Sequence, residues 1–500
     1  MTRPTNTDMY SINRILIICA GVFVFSPCLF AFFVSDDFFW ISKGANLSLG
    51  DLYPIASTAT YNMFRPLVIV LFSAFHRVFG LSPFGYHLTS ILVHALNGLL
   101  FYSILSRLSL KRDVALAAAV IFVTHFAHEE SVFWISSICV LGCWFFSLSS
   151  ILAFLAWIED GRIRFYFLSL CLGAIALFLR EDALTLPPIL CFIAWLQNRQ
   201  SKHEVSNGMG AKISLRVATG LVPFFLTLPG YLYLRSVSLP HLQFGALFSL
   251  NPVNVVRNSA YFLVNLTFPT RIVFDAIGYR HSTIINSAVN SIDSNLVLAL
   301  ATFVVMAISA WILFTWAKRA SKSSRVLAIT FLVALLPLVF FKGYGLRFTY
   351  LPLLGFSPAA ASVLLWFVKK VTSGDLRVEK RYVYVSLILI TLFNFLVLFE
   401  RHLWWSKAGD ACEDIMASAE SAMSSLPVGS TVCFTDLPSR VHGAYIFKTG
   451  FVEAMNLFYP SREREIRTID SESLSSLSEA DLEDCFFFKY ENQEFRPLNW

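Results

Sequence analysis

Long apolar runs recur from Ile12 to Phe399, and they limit what this chain can fold into. A helix needs roughly 20 consecutive apolar residues to cross the hydrocarbon of a bilayer. Such runs fall near 12–34, 84–106, 113–125, 134–157, 165–179, 183–197, 215–235, 296–317, 326–341, 349–368 and 382–399. Several are short, as happens where helices tilt or break around a cavity. Of the 500 residues, 56% are hydrophobic and 14% charged, with a mean hydropathy of +0.63, which is more apolar surface than a soluble fold can hide. The expected fold is an all-α polytopic membrane protein of eleven transmembrane helices. The first run follows Arg14 but is long and has no small-residue cleavage pattern before Asp36, so it reads as a retained helix and not a signal peptide.

Lys and Arg set the orientation. With a cytoplasmic N-terminus, the inside loops carry Arg107, Lys111 and Arg112; Arg162 and Arg164; Arg199, Lys202, Lys212 and Arg216; Lys318, Arg319, Lys322 and Arg325; and Lys369, Lys370, Arg377, Lys380 and Arg381. Every alternate loop is basic. The net charge of +6 is therefore a consequence of topology and gives no reason to expect nucleic acid as a partner. After Phe399 the composition turns polar and acidic. Residues 1–399 read as the membrane domain and 400–500 as a small exoplasmic α/β domain, with a helix near 408–426 and a strand over 430–434. Of nine cysteines, Cys412, Cys433 and Cys485 lie in this tail, where two of the three could pair in an oxidising compartment.

Four polar clusters interrupt the apolar sequence, all on the exoplasmic side. Asp36 and Asp37 follow the first span and open a loop over 35–83 that also holds Arg65 and a short apolar run, Leu67–Phe72, too short to cross. His125, His128, Glu129 and Glu130 fill the second turn, Arg180, Glu181 and Asp182 the third, and Lys342 and Arg347 the fourth. A further exoplasmic segment covers 238–295. Each cluster taken alone has a plain reading: a polar cap for the aspartates, a local Arg180–Glu181 ion pair, or an arginine reaching lipid phosphates. Together they supply carboxylates able to act as a base and guanidinium groups that match phosphate geometry. That combination suits a lipid-linked phosphosugar.

The stretches Phe64-Arg65-Pro66-Leu67, Tyr86 to Asn97, His125 to Trp134, Arg180-Glu181 with Pro187, and Leu346 to Pro352 carry a resemblance in order and spacing. Over residues 12–370 the chain resembles the GT-C superfamily of polytopic glycosyltransferases, nearest the transmembrane and tetratricopeptide-repeat O-mannosyltransferases and their bacterial relatives. It differs in having Phe126 after His125, Ile138 in place of an arginine, Arg180 in place of a lysine, and no tetratricopeptide repeats. The resemblance implies that the acidic motif Asp36-Asp37 is the catalytic centre, that Glu130 is the second-loop carboxylate, and that Arg347 belongs to the late Arg-x-x-Tyr-x-Pro pattern.

The expected reaction is inverting transfer of a sugar from a polyprenyl-phosphate donor to an acceptor hydroxyl on a glycan, lipid or protein. One aspartate, either Asp36 or Asp37, acts as base. Glu130, His128, Glu181 and Arg180 position donor and acceptor, while Arg347, Arg65 and Lys342 hold the phosphate. The phosphate leaves readily as an anion, so no strong general acid is needed, unlike in a glycosidase. No cofactor is required by this scheme, although Asp37 and Glu130 are donors able to hold a divalent cation. The rivals are a lipid-linked sugar flippase, which would place charge near the bilayer midplane, and a glycan polymerase or ligase on the same face. A multi-pass protein of a bacterial plasma membrane, with its C-terminal domain outside, is the expected setting.

Overall fold

A computed structural model describes residues 6–48, 50, 63–108, 110–204, 209–239, 249–269, 311, 314, 318, 339–341, 345–372, 376–441, 443–460, 464–469 and 485–498. Most of the expected spans at 296–317 and 326–341, and most of the segment 238–295, lie outside the described residues, as does Lys342. The described chain is mostly helical. Six of its helical segments are long and apolar enough to cross a membrane: Ser11–Phe30, Pro83–Arg107, Ile135–Asp160, Leu215–Ser238, Leu346–Val371 and Val378–Met423. A seventh counts if the pair Arg112–Thr124 and Phe126–Phe133, bent by 46°, is taken as one broken span.

In chain order the helices are α1 (Asn6–Phe25), α2 (Asp36–Ala45), α3 (Pro66–Phe79), α4 (Pro83–Arg107), α5 (Arg112–Thr124), α6 (Glu129–Phe133), α7 (Ile138–Asp160), α8 (Ile163–Leu179), α9 (Leu186–Glu204), α10 (Met209–Ser238), α11 (Pro252–Thr267), α12 (Tyr350–Val371), α13 (Leu376–Met423) and α14 (Phe451–Phe458). The short apolar run Leu67–Phe72 lies within α3. Pro66 and Pro83 begin their helices, where the missing N–H is no loss. Leu389, Leu396 and Leu226 stay largely exposed, as a lipid-facing surface requires.

Between helices the packing relies on small and polar residues, because lipid offers apolar side chains as good a home as protein does. Ser150 of α7 and Ser169 of α8 each donate to the other's carbonyl, at 2.7 and 2.8 Å. Asn97 of α4 donates to the Tyr350 hydroxyl at the head of α12 (2.8 Å) and to the Leu141 carbonyl (3.0 Å), and His94 Nδ1 lies 3.0 Å from the same hydroxyl. These bonds fix the start of α12, three residues after Arg347.

α13 runs 48 residues without a break and carries the chain from the last apolar run into the polar tail. There a four-stranded sheet forms in the order β4-β1-β5-β6. Strand β1 (Thr431–Thr435) pairs in parallel with β4 (Glu465–Thr468) and β5 (Cys485–Glu491), and β6 (Glu494–Pro497) closes antiparallel on β5. A two-stranded ribbon, β2 (Arg440–Val441) and β3 (Ala444–Tyr445), packs against α13. Phe434, Phe451, Phe488 and Phe495 form the aromatic core of the tail, and all nine cysteines are free.

Candidate functional site

Asp36 and Asp37 occupy the first turn of α2, where helix N-terminal amides favour negative charge. Ser35 precedes them at φ 50°, a left-handed conformation that costs a non-glycine residue and must be held by its surroundings. The two carboxylates have different environments. Asp37 is 1% exposed and fully engaged: Oδ1 accepts from the Ser136 amide (2.7 Å) and Ser136 Oγ (2.5 Å), and Oδ2 accepts from the Val34 amide (3.1 Å). Burial pushes its carboxyl up to about 7, opposed by these hydrogen bonds and assisted by the Asp36 charge. Asp36 is half-buried. Its Oδ1 accepts from Thr449 Oγ1 and faces Ser35 Oγ at 3.4 Å; its Oδ2 accepts no hydrogen bond among the described residues.

The second cluster folds through the bend between α5 and α6. His125 is extended there (φ −65°, ψ 131°) and caps the next turn by accepting from the Ala127 amide. Glu130, 5% exposed, accepts from the Arg347 amide (3.3 Å) and Arg347 Nη1 (3.2 Å). Gly345 makes this approach possible, since a Cβ there would lie 2.9 Å from Glu130 Oε2 and 3.1 Å from Arg347 Nη1. His128 is buried against the rings of His94, Phe122 and Tyr350. Glu129, which the sequence reading left without a role, meets Arg401 at 3.5 Å and accepts from Trp405 Nε1 at 3.1 Å, tying the turn to α13. Arg401 stands two residues beyond the last apolar run, a position that by itself hints at a buried partner.

The third cluster pairs differently from the local reading. Arg180 bonds Asp182 at 2.9 Å, while Glu181 reaches across to Arg65 in a bidentate pair of 2.9 and 2.6 Å. Burial opposes ionisation of Glu181, but the Arg65 charge and its hydrogen bonds, with Arg180 beyond, hold its carboxyl well below the usual carboxylate range. Arg65 stands just before α3 at φ −138° and ψ 63°, outside the helical region that Pro66 disfavours in its predecessor. Arg65 Nη1 and Arg180 Nη1 both approach Cys139 Sγ at 3.9 Å, and Cys139 Sγ lies 3.3 Å from the Ser136 carbonyl. Arg180 and Arg347 flank the Phe348 ring, with guanidinium carbons 5.2 and 5.0 Å from its centre.

Segments 35–37, 129–139, 180–182 and 345–348 therefore converge, with Arg65, to form a continuous polar group. Ser136 and Cys139 link the aspartates to the arginines. Among the described residues no group of three or more His, Cys, Asp or Glu side chains is placed to hold a metal ion. Asp37 is engaged by Ser136 and Val34, and Glu130 by Arg347.

No family model matches the chain. Protein O-mannosyl-transferase Tmtc1 of Drosophila melanogaster is 26% identical over 168 residues, 33% of this chain and 20% of that protein. Protein O-mannosyl-transferase F38B6.6 of Caenorhabditis elegans is 22% identical over 270 residues, 51% of this chain and 36% of that protein. The chain resembles the O-mannosyltransferases. The matches span between about a fifth and a third of those relatives' length. Among solved structures, ArnT from Cupriavidus metallidurans bound to undecaprenyl phosphate aligns over 95% of this chain and 91% of that one, at 14% identity and a TM-score of 0.45.

Proposed function

We propose that this protein is an inverting glycosyltransferase that moves a sugar from a polyprenyl-phosphate donor to an acceptor hydroxyl at the exoplasmic face of a membrane. The observation that carries the reading is the convergence of four chain segments into one group of carboxylates and arginines, joined by the Asp37–Ser136 hydrogen bonds. The resemblance to O-mannosyltransferases supports it and makes mannose the first donor sugar to try.

Asp36 is the base and Asp37 the anchor. Access decides between them: a base must meet the proton it removes, and only Asp36 keeps an oxygen unengaged at a half-buried position. As the acceptor oxygen attacks the anomeric carbon, its proton passes to Asp36 and the sugar–phosphate C–O bond breaks, the electron pair leaving with the phosphate. Direct attack inverts the anomeric centre. Arg347, one quarter exposed and held by Glu130, stabilises the departing phosphate. Arg65, locked by Glu181, adds positive potential behind it, and Lys342 is a further phosphate contact proposed from sequence alone. Arg180 and Glu181 fix this arginine group, and His128 and Glu130 fix the second turn. Residues 1–399 form the catalytic membrane domain and 400–500 the exoplasmic module, in a bacterial plasma membrane with the N-terminus inside. No step is routed through a metal.

Membranes carrying labelled polyprenyl-phosphate mannose test the class. Released polyprenyl phosphate with a new mannoside is the expected result. Unchanged lipid appearing on the opposite leaflet would make the protein a flippase.

A further inference from the structure

The tail meets the acidic motif directly. Thr449 Oγ1 donates to Asp36 Oδ1 across 413 residues of sequence and lies 3.4 Å from Ser35 Oγ. The approach is built by several independent contacts. Gly450 is left-handed (φ +87°), and a Cβ there would collide with the Ser35 carbonyl oxygen. Phe447 stacks on Phe38 with centroids 5.7 Å apart, and Tyr445 packs on Trp134 at 4.7 Å. At the base of the tail Gly409 meets Phe32, where a Cβ would stand 3.0 Å from the Phe32 backbone nitrogen. A chance surface contact would not require two glycines and two ring stacks to seat one hydroxyl.

We infer that Thr449 is a positioning residue for the transfer reaction: its hydroxyl, with that of Ser35, holds Asp36 Oδ1 and thereby aims Oδ2 at the acceptor. This rests on the reading of Asp36 as base. A carboxylate on a half-buried helix start can turn about its terminal bond, and every rotation away from the acceptor lowers the fraction of productive encounters. Two hydroxyls on one oxygen remove that freedom and leave the other oxygen available. The exoplasmic module then supplies part of the catalytic geometry, and the Glu129–Arg401–Trp405 contacts of α13 hold that module against the second turn.

The test uses the full chain in detergent, with labelled polyprenyl-phosphate mannose as donor and released polyprenyl phosphate as readout. Thr449→Val keeps the shape and removes the hydroxyl. It is expected to lower kcat roughly tenfold, a part of the factor a well-placed base contributes, while the donor KM and the thermal midpoint stay near wild type. Thr449→Ser is expected to restore kcat. Wild-type turnover in Thr449→Val overturns the inference, and faster turnover would mean that the hydroxyl obstructs the acceptor. A serine variant as slow as the valine variant also overturns it. Asp36→Asn separates the two levels: full transfer by that variant defeats the base assignment, whereas its inactivity beside an unimpaired Thr449→Val defeats only the role given to Thr449.

Discussion

Replacing Asp37 and Asp36 in turn separates anchor from base, and the hydrogen bonds give the sizes. Alanine at 37 strips the acceptor from the amides of Val34 and Ser136 in a site that is 1% exposed. Each buried N–H left without an acceptor costs about 1–3 kcal/mol, so Asp37→Ala should destabilise the fold by about 2–6 kcal/mol. Asparagine is milder. Its carbonyl can take both Ser136 donors, leaving its NH₂ and the Val34 amide facing each other as two unmet donors, at about 1–3 kcal/mol each. Asparagine also avoids burying a charge, and that places it at the low end. Asp36→Asn meets only the hydroxyls of Ser35 and Thr449, which can rotate to suit the amide, so its effect on stability should stay within about 0.5 kcal/mol. Thermal unfolding of the purified protein in detergent should rank wild type and Asp36→Asn together, then Asp37→Asn, then Asp37→Ala. If Asp37→Ala melts with wild type, or Asp36→Asn falls with it, the division of roles is wrong.

Two further outcomes follow from the same contacts. Gly345→Ala puts a methyl 2.9 Å from Glu130 Oε2 and 3.1 Å from Arg347 Nη1, so it should break that pair and raise the donor KM roughly tenfold, the loss of about one charge-assisted hydrogen bond, as measured by initial rates. The pH dependence of stability should carry the sign of Asp37. Its folded value, held at about 7 chiefly by burial, exceeds an unfolded value of about 3.9, so the folded state binds more protons between them and stability falls as pH rises through that window. Glu181 acts oppositely but only below its unfolded value of about 4.3, so the melting point should drop between about pH 5 and pH 7.5 in wild type and less in Asp37→Asn.

Much of the frame was legible because apolar length is a local property. The runs at 84–106, 134–157 and 349–368 reappear as α4, α7 and α12 within a few residues, and the strand expected over 430–434 is β1 at Thr431–Thr435. The run at 12–34 ends sooner, since α1 stops at Phe25 and a short 3-10 turn follows through Phe30. The polar clusters were visible too, since charge beside hydrocarbon is costly and stands out. Pairing was not. Arg180 beside Glu181 suggests a local bond, yet Glu181 finds Arg65 more than 100 residues away, at the non-helical position just before Pro66. Nor can a sequence tell which of two adjacent aspartates has its oxygens occupied. That depends on Val34 and Ser136 amides, which every residue possesses. Thr449 carried no signal at all, being an ordinary polar residue in a tail whose contact with Asp36 exists only after folding.

Purified protein incubated with labelled polyprenyl-phosphate mannose and its own membrane acceptors tests the central claim most directly. The wild-type chain should release polyprenyl phosphate and form a mannoside of inverted anomeric configuration, and Asp36→Asn, folded and still binding donor, should form none. A retained anomeric configuration, or undiminished transfer by Asp36→Asn, would contradict the mechanism.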